Sequence, residues 1–457
     1  MKLKKFYYVL GALLLMFLGG VISLLLFGNM VANSRDNRAI APFDKVWKMV
    51  FGDKNAARKH DDTSSSLATD VNPPLDSKKI NLGTTITYTG SGIVVTGSTV
   101  TLVAGGDYTV TGALKDGMLY VNTKEKVRLW LNGVEINHST GPAIHTVSSN
   151  PVFVYLIEGT SNTLTDGSSY KDTTGNGTLC SFNSDLIIDG AGSLTINANY
   201  KHAINGDENV IIQNGNITIV SVDDGVHTKG NLTVNGGTFK FTTNGDCLDI
   251  TGDAIINKGN FSFTAVGKGM SADKNLTVNG GTVTVFQSDE ALECKEILTI
   301  RSGKITLTAK DDGLNADIGI SIEGGITNIT AEADGIDSNG WFKVNGGYTV
   351  VYGGPAPESG VDCAGDFSIT GGTLIAMGGD TTTPTARTSS QYAAILGGAS
   401  AGAKVNIKNI SGKQICSFIP QKTYKILLYS SPDLKLNKMY KLFINETLSK
   451  TFTINKW

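Results

Sequence analysis

The chain has 457 residues, 55 of them glycine and 10 proline, and its 39 Lys and Arg nearly balance 41 Asp and Glu for a net charge of −2. A near-neutral balance with no dense basic stripe and interleaved aromatics leaves no footprint for nucleic acid. The length is ample for a long core, the Gly, Thr and Asn usage favours β-structure, and no long amphipathic helical pattern occurs beyond the N-terminal region.

Lys2, Lys4 and Lys5 precede an uncharged stretch whose apolar heart, residues 6–27, matches a bilayer-spanning helix of ~20 residues. No Ala-x-Ala site and no lipid-accepting cysteine follows it. Residues 1–34 therefore read as an uncleaved transmembrane signal anchor with the lysines inside, which puts the bulk of the chain outside the cytoplasm at the cell membrane. Residues 35–80 read as a polar stem and linker. Within it Phe43, Val46, Trp47, Val50 and Phe51 have helical spacing, which fits a helix resting on the membrane surface and equally a short local helix.

From residue 81 the texture is that of strands. Runs at 93–95, 119–121, 127–131 and 152–157 have variable spacing, which predicts projecting loops. Then a fixed period sets in: Val226, Leu248, Met270, Leu292, Leu314 and Ile336 stand 22 residues apart, with Ile204 one period earlier. A repeat of this size marks a solenoid whose coils must stack to bury their apolar faces. Leu232, Val234, Phe239 and Phe241 alternate with Thr233, Asn235, Thr238 and Lys240, as strand residues do. Asn235-Gly236-Gly237, Asn279-Gly280-Gly281 and Asn345-Gly346-Gly347 put turns in register, with an asparagine able to stack its amide on the next. The prediction is an all-β chain built on a parallel β-helix over residues 81–400.

In such a stack equivalent residues lie ~4.8 Å apart. One predicted column holds His202, Asp224, Asp246, Lys268, Glu290, Asp312 and Asp334. A second holds Asn205, His227, Asp249, Ser271, Glu293, Asn315 and Asp337, and Asp223, Asp289 and Asp311 add a third set of acids. Carboxylates so spaced repel unless protonated or bridged by a cation. Calcium, with its 6 to 8 hard oxygen ligands, is the expected cofactor. Two nests are expected: Asp223, Asp224, Asp246 and Asp249 with His227 adjacent, and Asp289, Glu290, Glu293, Asp311, Asp312, Asn315, Asp334 and Asp337. The bland alternative makes the Asp-Gly pairs turn residues bonding their own nearby backbone. It does not account for the acids flanking them.

Cys180, Cys247, Cys294, Cys363 and Cys416 form no CxxC pair, and Cys294 and Cys363 fall three coils apart, roughly 14 Å. They read as free thiols packed as small apolar groups. After residue 379 the period fails, and alternating runs at 404–410, 425–429, 439–444 and 452–454 predict a C-terminal β cap, residues 401–457, over the open solenoid end.

Several phrases carry a wider likeness: Leu131-Asn132-Gly133-Val134, Gly141-Pro142-Ala143-Ile144, Glu158-Gly159-Thr160, the run from Asn162 to Gly167, the Asp-Gly coils, and Ser431-Pro432-Asp433-Leu434. From about Thr85 onward the chain resembles the calcium-binding, carbohydrate-binding β-helix proteins of cellulolytic clostridia, similar in turn to pectate lyases of polysaccharide lyase family 9. The resemblance implies a right-handed parallel β-helix, calcium on its acidic face and a polysaccharide partner, acidic or cellulosic. The lyases' Asp-Asp-Gly-x-Asp cluster is only approached here: His227 and Asn315 replace its last acid, and Ala333 the first acid before Asp334.

Three readings follow. The leading one is a membrane-anchored, calcium-dependent binder of plant-type polysaccharide, with Trp130, Trp341, Tyr348 and Tyr352 as stacking candidates. A polysaccharide lyase would need a neutral base, for which Lys268 is the one candidate; between Asp246 and Glu290 it is expected to keep its proton. The third is a surface spacer stiffened by calcium.

Overall fold

The computed structural model describes residues 72–148, 150–171 and 175–455, and their regular structure is entirely β-strand. No helix among the described residues is long and apolar enough to cross a membrane. The expected signal anchor and the stem helix around Trp47 lie outside the described residues.

Each regular coil contributes three strands. Face one stacks short strands such as Val226–Thr228, Leu248–Ile250, Met270–Ala272, Leu292–Cys294, Leu314–Ala316 and Ile336–Ser338. Face two stacks Leu232–Val234, Ala254–Ile256 and Leu276–Val278, and face three stacks Thr238–Thr243, Asn260–Ala265 and Thr282–Gln287. Every strand pairs in parallel with the equivalent strand one coil on, giving a β-solenoid of about 12 turns. On face one Ile204, Val226, Leu248, Met270, Leu292, Leu314 and Ile336 are cross-strand partners, so the 22-residue register is met.

The alternation sends one set of residues inward, where Leu232, Val234, Phe239, Phe241 and their equivalents are buried. Phe239 stacks on Phe261 at 4.5 Å and Phe241 on Phe263 at 5.1 Å. Burying each such ring stabilises the fold by roughly 1.5–3 kcal/mol. Cys180, Cys247, Cys294 and Cys363 join this interior as buried free thiols, while Cys416 is half-buried in the cap.

The corner between faces two and three carries the Asn-Gly-Gly turns. Gly237 and Gly281 have φ of +107° and +89°, and a Cβ there would press on the carbonyl oxygens of Gly215 and Gly259, so only glycine fits. Beside them Asn235 donates to Gln213, Asn257 to Asn235 and Asn279 to Asn257, each at 2.7 Å, and Arg301 donates to Asn279 at 2.8 Å. The expected amide stack is thus a continuous hydrogen-bonded ladder.

The first parallel strand, Lys78–Leu82, begins before residue 81 and pairs with Gly106–Leu114. At the far end Thr373–Gly378 is the last parallel strand. Tyr424–Ser430 pairs with it antiparallel and also with Ala393–Ala399, so the cap begins before residue 400. The cap core packs Leu396, Val405, Tyr424, Leu427, Tyr429 and Leu442 against Ile375 and Met377 of the terminal coil.

Candidate functional site

The turn leading into each face-one strand carries the acids. Asp224 Oδ1 accepts the backbone N–H of Asp246 at 2.8 Å, Asp246 Oδ1 that of Lys268 at 2.7 Å, and Asp312 Oδ1 that of Asp334 at 2.9 Å. Asp334 in turn accepts the N–H of Ser359. These carboxylates bond the backbone one coil ahead and not, as the bland alternative had it, that of their own turn. One carboxylate oxygen is thereby structural and its partner oxygen remains for chemistry.

The second column is in register by strand pairing: Asn205, His227, Asp249, Ser271, Glu293, Asn315 and Asp337, continued by Asp362. Sequence reasoning missed Asp362 because its coil is longer than 22 residues. The two columns together divide the face into three stations.

At the first station the His202 ring stacks on His227 at 4.5 Å. Asp224 Oδ2 lies 2.9 Å from His202 Nδ1 and 3.9 Å from His227 Nδ1, while Asp249 Oδ2 bonds His227 Nδ1 at 2.6 Å. That hydrogen bond raises the His227 pKa against the opposing effect of burial. Burial, with the charges of Asp224 and Asp249, pushes Asp246 up to about 6. Asp223, Asp224 and Asp249 of the expected nest therefore lie against two imidazoles, of which His202 was the one left out, while Asp246 bonds the Lys268 backbone N–H.

The second station holds Lys268. Its Nζ lies 3.0 Å from Glu290 Oε2 and pairs with Glu293, which also accepts from Ser271 Oγ at 3.2 Å. Burial pulls the ammonium down, but the bonds to Glu293 and Glu290 outweigh it and hold the lysine above its ordinary range. The expected flanking by Asp246 takes a different form, since that carboxylate holds the backbone N–H of Lys268.

At the third station Asn315 Nδ2 donates to Asp312 Oδ2 at 3.1 Å and to Glu290 Oε1 at 3.2 Å. Burial, then the charges of Asp337, Asp311 and Asp334, push Asp312 up to about 7. Burial, Asp362, Glu358 and Asp337 push Asp334 up to about 6, and Asp337 is raised by burial and by Asp362. Buried Asp312 and half-buried Asp334 and Asp337, each raised by burial and by neighbouring acids, leave this station short of positive charge. Asp311, Asp312, Asp334, Asp337 and Asp362, with the Asn315 amide, carry its side-chain oxygens. The expected second nest is thus divided, with Glu290 and Glu293 turned toward Lys268.

The stacking candidates lie on other faces. Trp130 is buried: Tyr155 stacks on it at 4.1 Å and its indole N–H donates to Asp107 at 2.9 Å, so no free ring face is left for a sugar. Phe153 and Tyr155 form its half-buried outer layer, with their rings nearly parallel at 6.1 Å, beside Arg128, which donates to Asp107 at 3.1 Å. Tyr352 is buried in the cap core. Trp341 lies against Gly319, with Lys343 Nζ 4.2 Å from its ring, and Tyr348 is exposed.

Residues 96–291 and 287–414 match the family model described as carbohydrate-binding domain-containing protein. A protein of that description from Acetivibrio thermocellus is 31% identical over 159 residues, which is 33% of this chain and 54% of the relative, so the match spans about half the relative's length. The solved structure of a polysaccharide lyase-like protein from C. thermocellum, a gadolinium derivative, aligns over 59% of this chain and 96% of its own, with a TM-score of 0.41 and 22% identity.

Proposed function

Because this chain belongs to the family of carbohydrate-binding domain-containing proteins, we propose that it is a calcium-dependent binder of acidic polysaccharide such as polygalacturonate. In this reading it is held at the cell surface by its N-terminal apolar segment. The observation that carries the reading is the third station, where Asp312 and Asp334 of one column and Asp337 of the other have their pKa values raised by burial and by the acids around them. Bound calcium supplies positive charge to an acidic face that otherwise repels a polyuronate. The chain's own part is to hold the oxygen donors rigidly: Asp312 and Asp334 are pinned through Oδ1 by backbone N–H groups, and Asn315 orients Asp312 Oδ2. Phe153 and Tyr155, with Arg128 between them and Asp107, are the aromatic surface best suited to sugar rings.

The lyase alternative needs Lys268 neutral, and its pairing with Glu290 and Glu293 favours the ammonium. The deciding experiment is calorimetric titration of the full chain with polygalacturonate, in calcium and then in excess chelator. Binding in calcium alone supports the proposal. Binding in neither state removes uronate recognition as the main role and leaves a neutral glycan or the spacer reading. Release of ultraviolet-absorbing unsaturated product would establish the lyase.

A further inference from the structure

The first station differs in chemistry from the third. Its convergent groups include two imidazoles, His202 and His227, and one ligand atom from each of His202, Asp224 and His227 lies within 4.8 Å of the others. Calcium prefers oxygen, whereas imidazole with carboxylate suits zinc and its late first-row neighbours. We propose that His202, Asp224 and His227, completed by Asp223 or Asp249, form a binding site for a divalent transition-metal ion, with zinc as the reference, separate from the oxygen-only station.

Four observations support the assignment. Zinc bonds of 2.0–2.2 Å imply ligand-to-ligand edges of about 3.4 Å. The ligand-atom distances fall on either side of that length: 2.9 Å from Asp224 Oδ2 to His202 Nδ1, 3.9 Å to His227 Nδ1, 3.8 Å from His202 Nδ1 to Asp223 Oδ2, and 2.6 Å from His227 Nδ1 to Asp249 Oδ2. His202 Nδ1 is buried and, although close to Asp224, lacks hydrogen-bond alignment with it, as a nitrogen presenting a lone pair to a metal would. Asp224 Oδ1 is pinned by the N–H of Asp246, which fixes its Oδ2 toward the two rings. Finally, the side-chain exposure grades from 12% at His202 and 11% at Asp224 to 37% at Asp249 and 45% at Asp223, so the site has a closed floor and an open mouth.

The ligands come from successive coils, because His227 pairs with Asn205 on one side and with Asp249 on the other. A bound ion therefore adds a clamp between coils already joined along this face by backbone pairing and by side-chain bonds such as that of Asp224 to the Asp246 N–H. An ion bound at His227 Nδ1 would displace the proton shared with Asp249 to solvent, and their 2.6 Å contact would open toward the ligand edge of about 3.4 Å. The proposal does not rest on polysaccharide recognition.

The test uses the full chain in mild detergent, stripped with chelator and titrated with zinc by calorimetry. The expected result is one zinc per chain, not displaced by hundredfold excess calcium. His202→Gln and His227→Gln should each weaken zinc at least tenfold, while Asp312→Asn at the third station leaves it unchanged. Absence of zinc binding, equal competition by calcium, or unchanged affinity in both glutamine variants overturns the assignment. Should a variant fail to fold by circular dichroism, cobalt(II) absorption of the unaltered chain decides: intense tetrahedral bands support the site, and the weak spectrum of an octahedral oxygen shell overturns it.

Discussion

Asp312 shows how one side chain serves the scaffold and the site together. Its Oδ1 accepts the Asp334 N–H, while burial and the charges of Asp337 and Asp311 raise its pKa from 3.8 to about 7. A carboxyl with a higher pKa folded than unfolded holds its proton more tightly in the folded state. Its stabilising share is complete below about pH 4 and is lost as pH rises through about 7, and Asp334 and Asp246, at about 6, act in the same direction. In chelator the melting temperature should therefore fall from pH 5 to pH 8. Asp312→Asn should flatten that slope, and calcium should restore stability at pH 8. A slope unchanged in Asp312→Asn would refute the attribution. Lys268→Met leaves Glu290 and Glu293 without their ammonium and should cost about 1–3 kcal/mol in urea unfolding; an unmoved midpoint would show that the pairs contribute nothing. The acidic columns containing these residues were legible in the spacing, because coil stacking converts a separation of 22 into a neighbour. Which oxygen bonds backbone and which faces the site was not legible, since rotamers answer to packing around each turn.

At the level of elements, the corner ladder and the stacked rings hold neighbouring coils in register. Asn257 donates to Asn235 and accepts from Asn279, so Asn257→Ala removes two side-chain bonds at a half-buried turn and should lower stability by about 1–3 kcal/mol. Phe261 touches Phe239 and Phe263, and Phe261→Ala opens a cavity that should cost about 3–5 kcal/mol. Melting curves rank the two, and a smaller loss for Phe261→Ala than for Asn257→Ala would reverse the assignment of the interior as the main stabiliser. The asparagine ladder was readable from Asn-Gly-Gly in register. A second ladder was not foreseen: Asn209 N–H donates to Asp185, Asn231 N–H to Asn209, and Asp253 N–H to Asn231. Asp and Asn both occur there, and it is the shared Oδ1 acceptor, rather than a repeated residue type, that keeps the pattern.

For the whole molecule, stability is close to a sum over coils and the contacts between adjacent ones, so the terminal coil is the exposed weak point. Ile375 and Met377 are buried beneath Leu396, Leu427 and Tyr429 of the cap. A chain ending at residue 379 should bare those residues together with the antiparallel edge of Thr373–Gly378 and aggregate, as light scattering would show; a monomeric, soluble product would mean that the cap is dispensable. The sequence by itself determined the solenoid, its 22-residue register, its inward apolar ladders and the two acidic columns, because a strict period leaves one way to stack the coils. It placed Trp130 and Tyr352 among exposed stacking candidates, and only the tertiary structure put them under Tyr155 and the cap. Tertiary structure alone also divided the acidic face into an imidazole station, a lysine-bridged station and a station of carboxylates raised by burial and nearby acids. The physical reason is common to these cases: periodicity sets which residues are neighbours, whereas burial and side-chain direction, settled by packing across coils, set what those neighbours can bind.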